Sequence, residues 1–162
     1  MSGSRGEPVG AETHHRLAVD LYNHAWGLLE QGRRSVAEDD ELVHAAHASR
    51  WHWGRVGTTA NLARGEWLCA RVYATLGHPE PALRHAGRCL DLVEAGGEGF
   101  EEWDRAAALE AVARARLEAG DLPGARDAFA LATDALTAIT DPDDRAQIAT
   151  ELDGLAGLLD RA

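Results

Sequence analysis

From about residue 11 onward the apolar residues of this chain recur at spacings of three and four, and no stretch alternates with period two. That pattern predicts helices near 12–31, 37–53, 59–76, 79–95, 101–119, 122–139 and 142–161, and no strands. Alanine and leucine, both good helix formers, dominate these segments. The expected fold class is therefore all-α. Residues 1–10, MSGSRGEPVG, break the pattern with a polar Gly/Ser/Pro run, expected to be a flexible N-terminal segment ahead of a single helical domain over 11–162.

Three glycines set a register within the helical part. Seven residues before Gly32, Gly77 and Gly120 stand Ala25, Ala70 and Ala113, and five residues after them stand Ala37, Ala82 and Ala125. Small residues at matched places on consecutive helices let their backbones approach, and a glycine between them permits a left-handed turn. Each glycine is thus expected at the corner of a helical hairpin. The corners fall 45 and then 43 residues apart, an internal repeat of the size that signals a helical solenoid. The last segment opens with Asp141 as N-cap and Pro142 at the first helical position. Its apolar residues Ile148, Leu152, Leu155, Ala156 and Leu159 share one face, as suits a C-terminal helix capping the stack.

The second unit, from Ala70 to Leu83, carries a small residue, an aromatic, the turn glycine and an Ala-Leu pair. The third carries A-x-x-x-F from Ala125 to Phe129. Over roughly Leu21 to Leu136 the chain resembles the tetratricopeptide repeat (TPR) family. It departs from that family in a period longer than about 34 residues, in Arg116 where an aromatic is expected, and in Glu66 where a large apolar residue is usual. The resemblance implies a TPR-like stack of about three helical hairpins. It also implies a concave groove lined from the first helix of each hairpin. The positions six and ten before each turn glycine are then Trp26 and Tyr22, Arg71 and Trp67, Arg114 and Glu110, with Arg64 and Asn23 close by. Aromatics beside arginines suit a ligand with an apolar body and a carboxylate, since guanidinium pairs bidentately with carboxylate while the rings bury the rest. A binding module for a peptide segment or a small carboxylate-bearing ligand is the leading expectation. The competing reading of the same residues is packing for the tryptophans and salt bridges for the arginines.

Composition narrows the partners. A formal net charge of −11, with all 16 basic residues arginine, argues against a general nucleic-acid or anionic-membrane surface. No apolar run approaches the roughly 18 residues that span a bilayer, and no secretory signal is evident, so a cytoplasmic protein is expected. A homodimer is left open. Cys69 and Cys89 sit within apolar patterns and are expected as free buried thiols. No Gly-rich phosphate loop, nucleophile elbow or Cys-x-x-Cys pair is present.

One stretch, His44 to Trp53, reads HAAHASRWHW and concentrates three of the eight histidines and two of the five tryptophans. With about 100° per helical residue, Asp40, His44, His47 and Trp51 share one face, while Leu42, Ala45, Ala46, Ser49 and Trp53 take the opposite one. The repeat register puts His44 where the later units carry Cys89 and Ala132, a buried place. One reading makes His44 and His47 core histidines hydrogen-bonded to Asp40 or to backbone. The other makes Asp40, His44, His47 and Glu66 ligands of a divalent transition metal in a small metal-dependent enzyme; otherwise no cofactor is expected. Either reading places Glu66 within reach of His44 or His47. His14 and His15 are expected to be solvated, and His85 with Cys89, one helical turn apart and also able to bind metal, to be packing.

Overall fold

The computed structural model describes residues 8–162; the Met1 to Glu7 part of the N-terminal segment lies outside the described residues. Among these the chain is all-α: α1 (Ala11–Leu29), α2 (Val36–Val56), α3 (Thr59–Thr75), α4 (Pro79–Ala95), α5 (Asp104–Glu118), α6 (Leu122–Leu136) and α7 (Pro142–Leu159). The most extensive contacts join α1 to α2, α3 to α4 and α5 to α6, so the chain runs as consecutive hairpins. Helices α1, α3 and α5 also touch in series, and α7 packs on α5 and α6. The backbones of α2 and α4 both lie against α3 but do not meet each other.

Local chemistry explains several helix ends. Ser35 with Glu38, and Thr58 with Asn61, close capping boxes at the starts of α2 and α3. Asp121 accepts from the Gly124 amide at the start of α6, and Asp141 from the Asp143 and Asp144 amides at the start of α7. At the corners, Gly77 (φ 73°) and Gly120 (φ 77°) take the left-handed conformation. The amides that follow them reach back to the carbonyls of Tyr73 (2.9 Å) and Arg116 (2.9 Å), forming Schellman turns.

The first corner differs. Gly32 is not left-handed, and the link from α1 to α2 spans residues 30–35, against 76–78 and 119–121 at the later corners. The extra chain shifts α2 along its axis relative to the repeat register. Ala37 is exposed, whereas Ala82 and Ala125 are fully buried. The buried set on α2 is Leu42, Ala45, Ala46 and Ser49, and His44 is exposed rather than in the place of Cys89. Three ends also moved by three residues: α2 runs on to Val56, α5 begins at Asp104, after a turn in which Asp104 accepts from the Glu101 amide, and α6 ends at Leu136.

Alanine fills most of the core. Ala18, Ala25, Ala60, Ala106, Ala108, Ala113, Ala115 and Ala132 have no exposed surface, so the helices pack close and the few large residues, Leu42, Leu68, Ile139 and Leu155, interlock between them. Cys69 and Cys89 are free and buried, and burial pushes both thiols up to about 12. They are packing residues.

Candidate functional site

Two clefts among the described residues gather the candidate side chains. The first encloses about 430 Å³ between α1, α3, α5 and α7. Tyr22 and Trp26 come to it from α1, Trp67 from α3, and Trp103 from the turn before α5. The Trp26 and Trp67 rings lie 5.4 Å apart and tilted by 37°, and Tyr22 adjoins Trp26 at 6.4 Å. Burial raises the Tyr22 phenol, which therefore stays neutral. Glu30 and, from α7, Asp144 and Glu151 add carboxylates to the lining, and no arginine or histidine does.

The sequence-predicted groove residues divide here. Tyr22, Trp26 and Trp67 meet as expected, while Asn23 is exposed and outside the lining. The three arginines are already paired. Arg64 holds Asp104 with two bonds of 2.9 and 2.7 Å, and its guanidinium lies 4.5 Å over the Trp103 ring. Arg71 reaches Glu151 at 2.7 Å and Glu110 at 3.4 Å, and Arg114 binds Glu110 from the next turn of α5. Glu110 is a buried acid clamped by two guanidiniums; burial pushes its carboxyl up against the pull of Arg114 and Arg71. These arginines carry protein carboxylates, the salt-bridge alternative of the sequence, and an incoming carboxylate would have to displace Glu151. Trp103, Asp144 and Glu151 fall outside the hairpin register, so nothing in the repeat pattern pointed to them.

The second cleft, open to solvent and about 720 Å³, lies in the gap between α2 and α4 over α3. His44 and His47 from α2 and Glu66 from α3 do line it together. Their pairings differ from those expected. Glu66 accepts from Arg50 Nε at 2.9 Å and from His85 Nδ1 at 2.6 Å, not from His44 or His47. Burial alone would raise its carboxyl, but the His85 hydrogen bond and the charges of Arg50, His85 and Arg88 outweigh it and hold Glu66 below the usual range. His47 is hydrogen-bonded through Nε2 to the Tyr73 hydroxyl at 2.9 Å. Burial, seconded by the charge of His85, holds its imidazole below the usual value. Asp40 and His44 are exposed and make no hydrogen bond among the described residues, and no three His, Cys, Asp or Glu side chains there form a metal-holding group.

The histidine that matters to Glu66 is thus His85, which spacing alone classed with Cys89 as packing. It is buried, stacks parallel to Tyr73 at 5.6 Å and meets His47 edge-on at 5.2 Å. The helical spacing of Arg84, His85 and Arg88 was visible in the sequence, but not that α4 would turn them toward Arg50. His14 departs from expectation too: it is buried and bonded Nδ1 to Nδ1 with His52 at 2.8 Å, so one ring donates and the other accepts.

Comparison of the chain with protein-family models, with curated proteins and with solved structures finds no match. The two clefts themselves therefore bear the functional argument. No helix of the described residues is long and apolar enough to cross a membrane.

Proposed function

We propose that this chain is a TPR-like binding module, three hairpins capped by α7, that receives a peptide segment in the aromatic cleft through an apolar side chain ending in a positive charge. The supporting observation is the lining: four aromatic side chains beside the carboxylates of Glu30 and Asp144, with Arg64, Arg71 and Arg114 already engaged by Asp104, Glu110 and Glu151. Rings attract a cation through their faces and bury its aliphatic stem, and carboxylates at the edge complete the charge match. An arginine or lysine side chain fits that chemistry better than the carboxylate expected from sequence. Asp144→Asn removes one lining charge from the first turn of α7 and should weaken a basic peptide at an unchanged melting temperature. Calorimetric titration with N-acetyl-Ala-Arg-Ala-amide and with its Glu counterpart separates the readings. Binding of the arginine peptide, weakened in the Asp144→Asn variant, is the expected result. Preferential binding of the glutamate peptide would restore the carboxylate reading, with Arg71 exchanging Glu151 for the ligand.

The metal-dependent enzyme remains as a second reading because His44, His47 and Glu66 share one cleft. It requires Glu66 to release Arg50 or His85. Elemental analysis of freshly purified protein tests it, and stoichiometric zinc, iron, manganese or copper would favour it.

A further inference from the structure

The second cleft reverses the charge of the molecule around it. In a chain of formal net charge −11, Arg50, Arg84, Arg88, His44, His47 and His85 converge there against the single carboxylate of Glu66. Arg84 and Arg88 lie one turn apart on α4, an arrangement of like charges that weakens an isolated helix. Both are exposed, and among the described residues neither has an acidic partner within salt-bridge distance. The contrast with the aromatic cleft is direct, since Arg64, Arg71 and Arg114 are all neutralised by acids.

Glu66 offsets only part of this charge: its two oxygens are taken by Arg50 and His85, which leaves Arg84 and Arg88 uncompensated. Its role is to hold those two groups in place. The close approach of α2 to α3 at this point depends on Gly65: a Cβ there would stand 2.6 Å from Arg50 Cδ and 3.3 Å from Arg50 Cα. Arg50 is therefore laid across Gly65 and fixed by its Nε on Glu66. Trp51, half exposed, offers a ring at the edge of the same cleft.

We propose that the cleft between α2 and α4 is an anion site for a small phosphate monoester, with Arg84 and Arg88 meeting the phosphoryl oxygens, Arg50 set behind them, and Trp51 beside the organic part. Three guanidiniums exceed what one carboxylate can use, whereas a dianion with three free oxygens can engage more than one fork. The cleft is also much larger than a bare phosphate, leaving room for an ester group. This site shares no lining residue with the aromatic cleft, so each stands or falls separately.

The test is calorimetric titration of the full chain at fixed ionic strength with phenyl phosphate and with benzoate, followed by competition with inorganic phosphate. Phenyl phosphate should bind saturably and at least about tenfold tighter than benzoate, the equivalent of one added charge-assisted contact. Inorganic phosphate should compete with it. Arg84→Gln and Arg88→Gln should each weaken phenyl phosphate about tenfold. Both residues are exposed, so an unchanged melting temperature in each variant separates lost binding from lost folding. Equal affinity for benzoate, failure of phosphate to compete, or undiminished binding in the Arg84→Gln/Arg88→Gln double variant would overturn the proposal. A phosphoserine peptide that binds far more tightly than phenyl phosphate would overturn the small-ligand assignment in favour of a macromolecular partner.

Discussion

Ser49 is fully buried on α2, and its hydroxyl donates to the Ala18 carbonyl at 2.7 Å, tying α2 to α1. Ser49→Ala should cost about 1 kcal/mol, the usual net worth of such a bond, read as a lower denaturation midpoint at unchanged slope. The histidines give a pH signature. His47 and His52 are both held below the ordinary value of 6.5, mainly by burial, with His85 and His14 respectively adding repulsion. A group depressed in the folded state binds its proton more readily in the unfolded chain, so stability should fall as the pH drops below about 6.5. Glu66, held below its ordinary 4.5, contributes stability that is present above that value and lost on further acidification. Melting temperatures measured from neutral pH downward should show the histidine-linked decline first, and His47→Gln should flatten it. A profile that is flat until the carboxylates titrate would contradict these assignments. At this scale the sequence revealed which residue types were unusual, Glu66 and the His44–Trp53 stretch among them, but not their partners. Partner choice depends on helix rotation: the axial shift of α2 turned His44 outward and brought Arg50, rather than a histidine of its own helix, onto Glu66.

Element boundaries follow from short-range chemistry, which is why most were legible. Two corners carry glycines with positive φ and open space around the missing Cβ, so Gly77→Ala and Gly120→Ala should each cost about 1–2 kcal/mol through left-handed strain alone. Gly32 also has open space but no left-handed φ. Gly32→Ala should therefore be neutral or slightly stabilising. Thermal melts of the three variants side by side check the contrast, and a Gly32→Ala loss as large as the other two would restore the equal-corner register. The Ser35–Glu38 capping box was the sequence signal that fixed the true start of α2, and it favoured the longer link over the glycine spacing. Ala70 is buried where α3 meets its neighbours, so Ala70→Leu should overpack the core and cost about 1–3 kcal/mol, measured by the same melts.

Across the whole molecule, α7 joins stability to the aromatic cleft. Its Ile148, Leu152, Leu155 and Leu159 are buried against α5 and α6, each worth about 1.5–3 kcal/mol on burial. Their sum rivals the roughly 5–15 kcal/mol of a typical domain, so a chain ending at residue 140 should lose its cooperative thermal transition. The apolar face of α7 was readable from its spacing. Its second role was not, because Asp144 and Glu151 flank the edge of that apolar face beside Ile148, and only the packing of α7 on α5 brings them to Trp26, Trp67 and Trp103. Binding in the aromatic cleft is tested most directly by a two-dimensional NMR titration of the five indole N–H signals with N-acetyl-Ala-Arg-Ala-amide. Saturable shifts of Trp26, Trp67 and Trp103, with Trp51 and Trp53 unmoved, are the result expected. Shifts confined to Trp51 and Trp53, or none at any concentration of the peptide, would contradict the assignment of the aromatic cleft as the binding site.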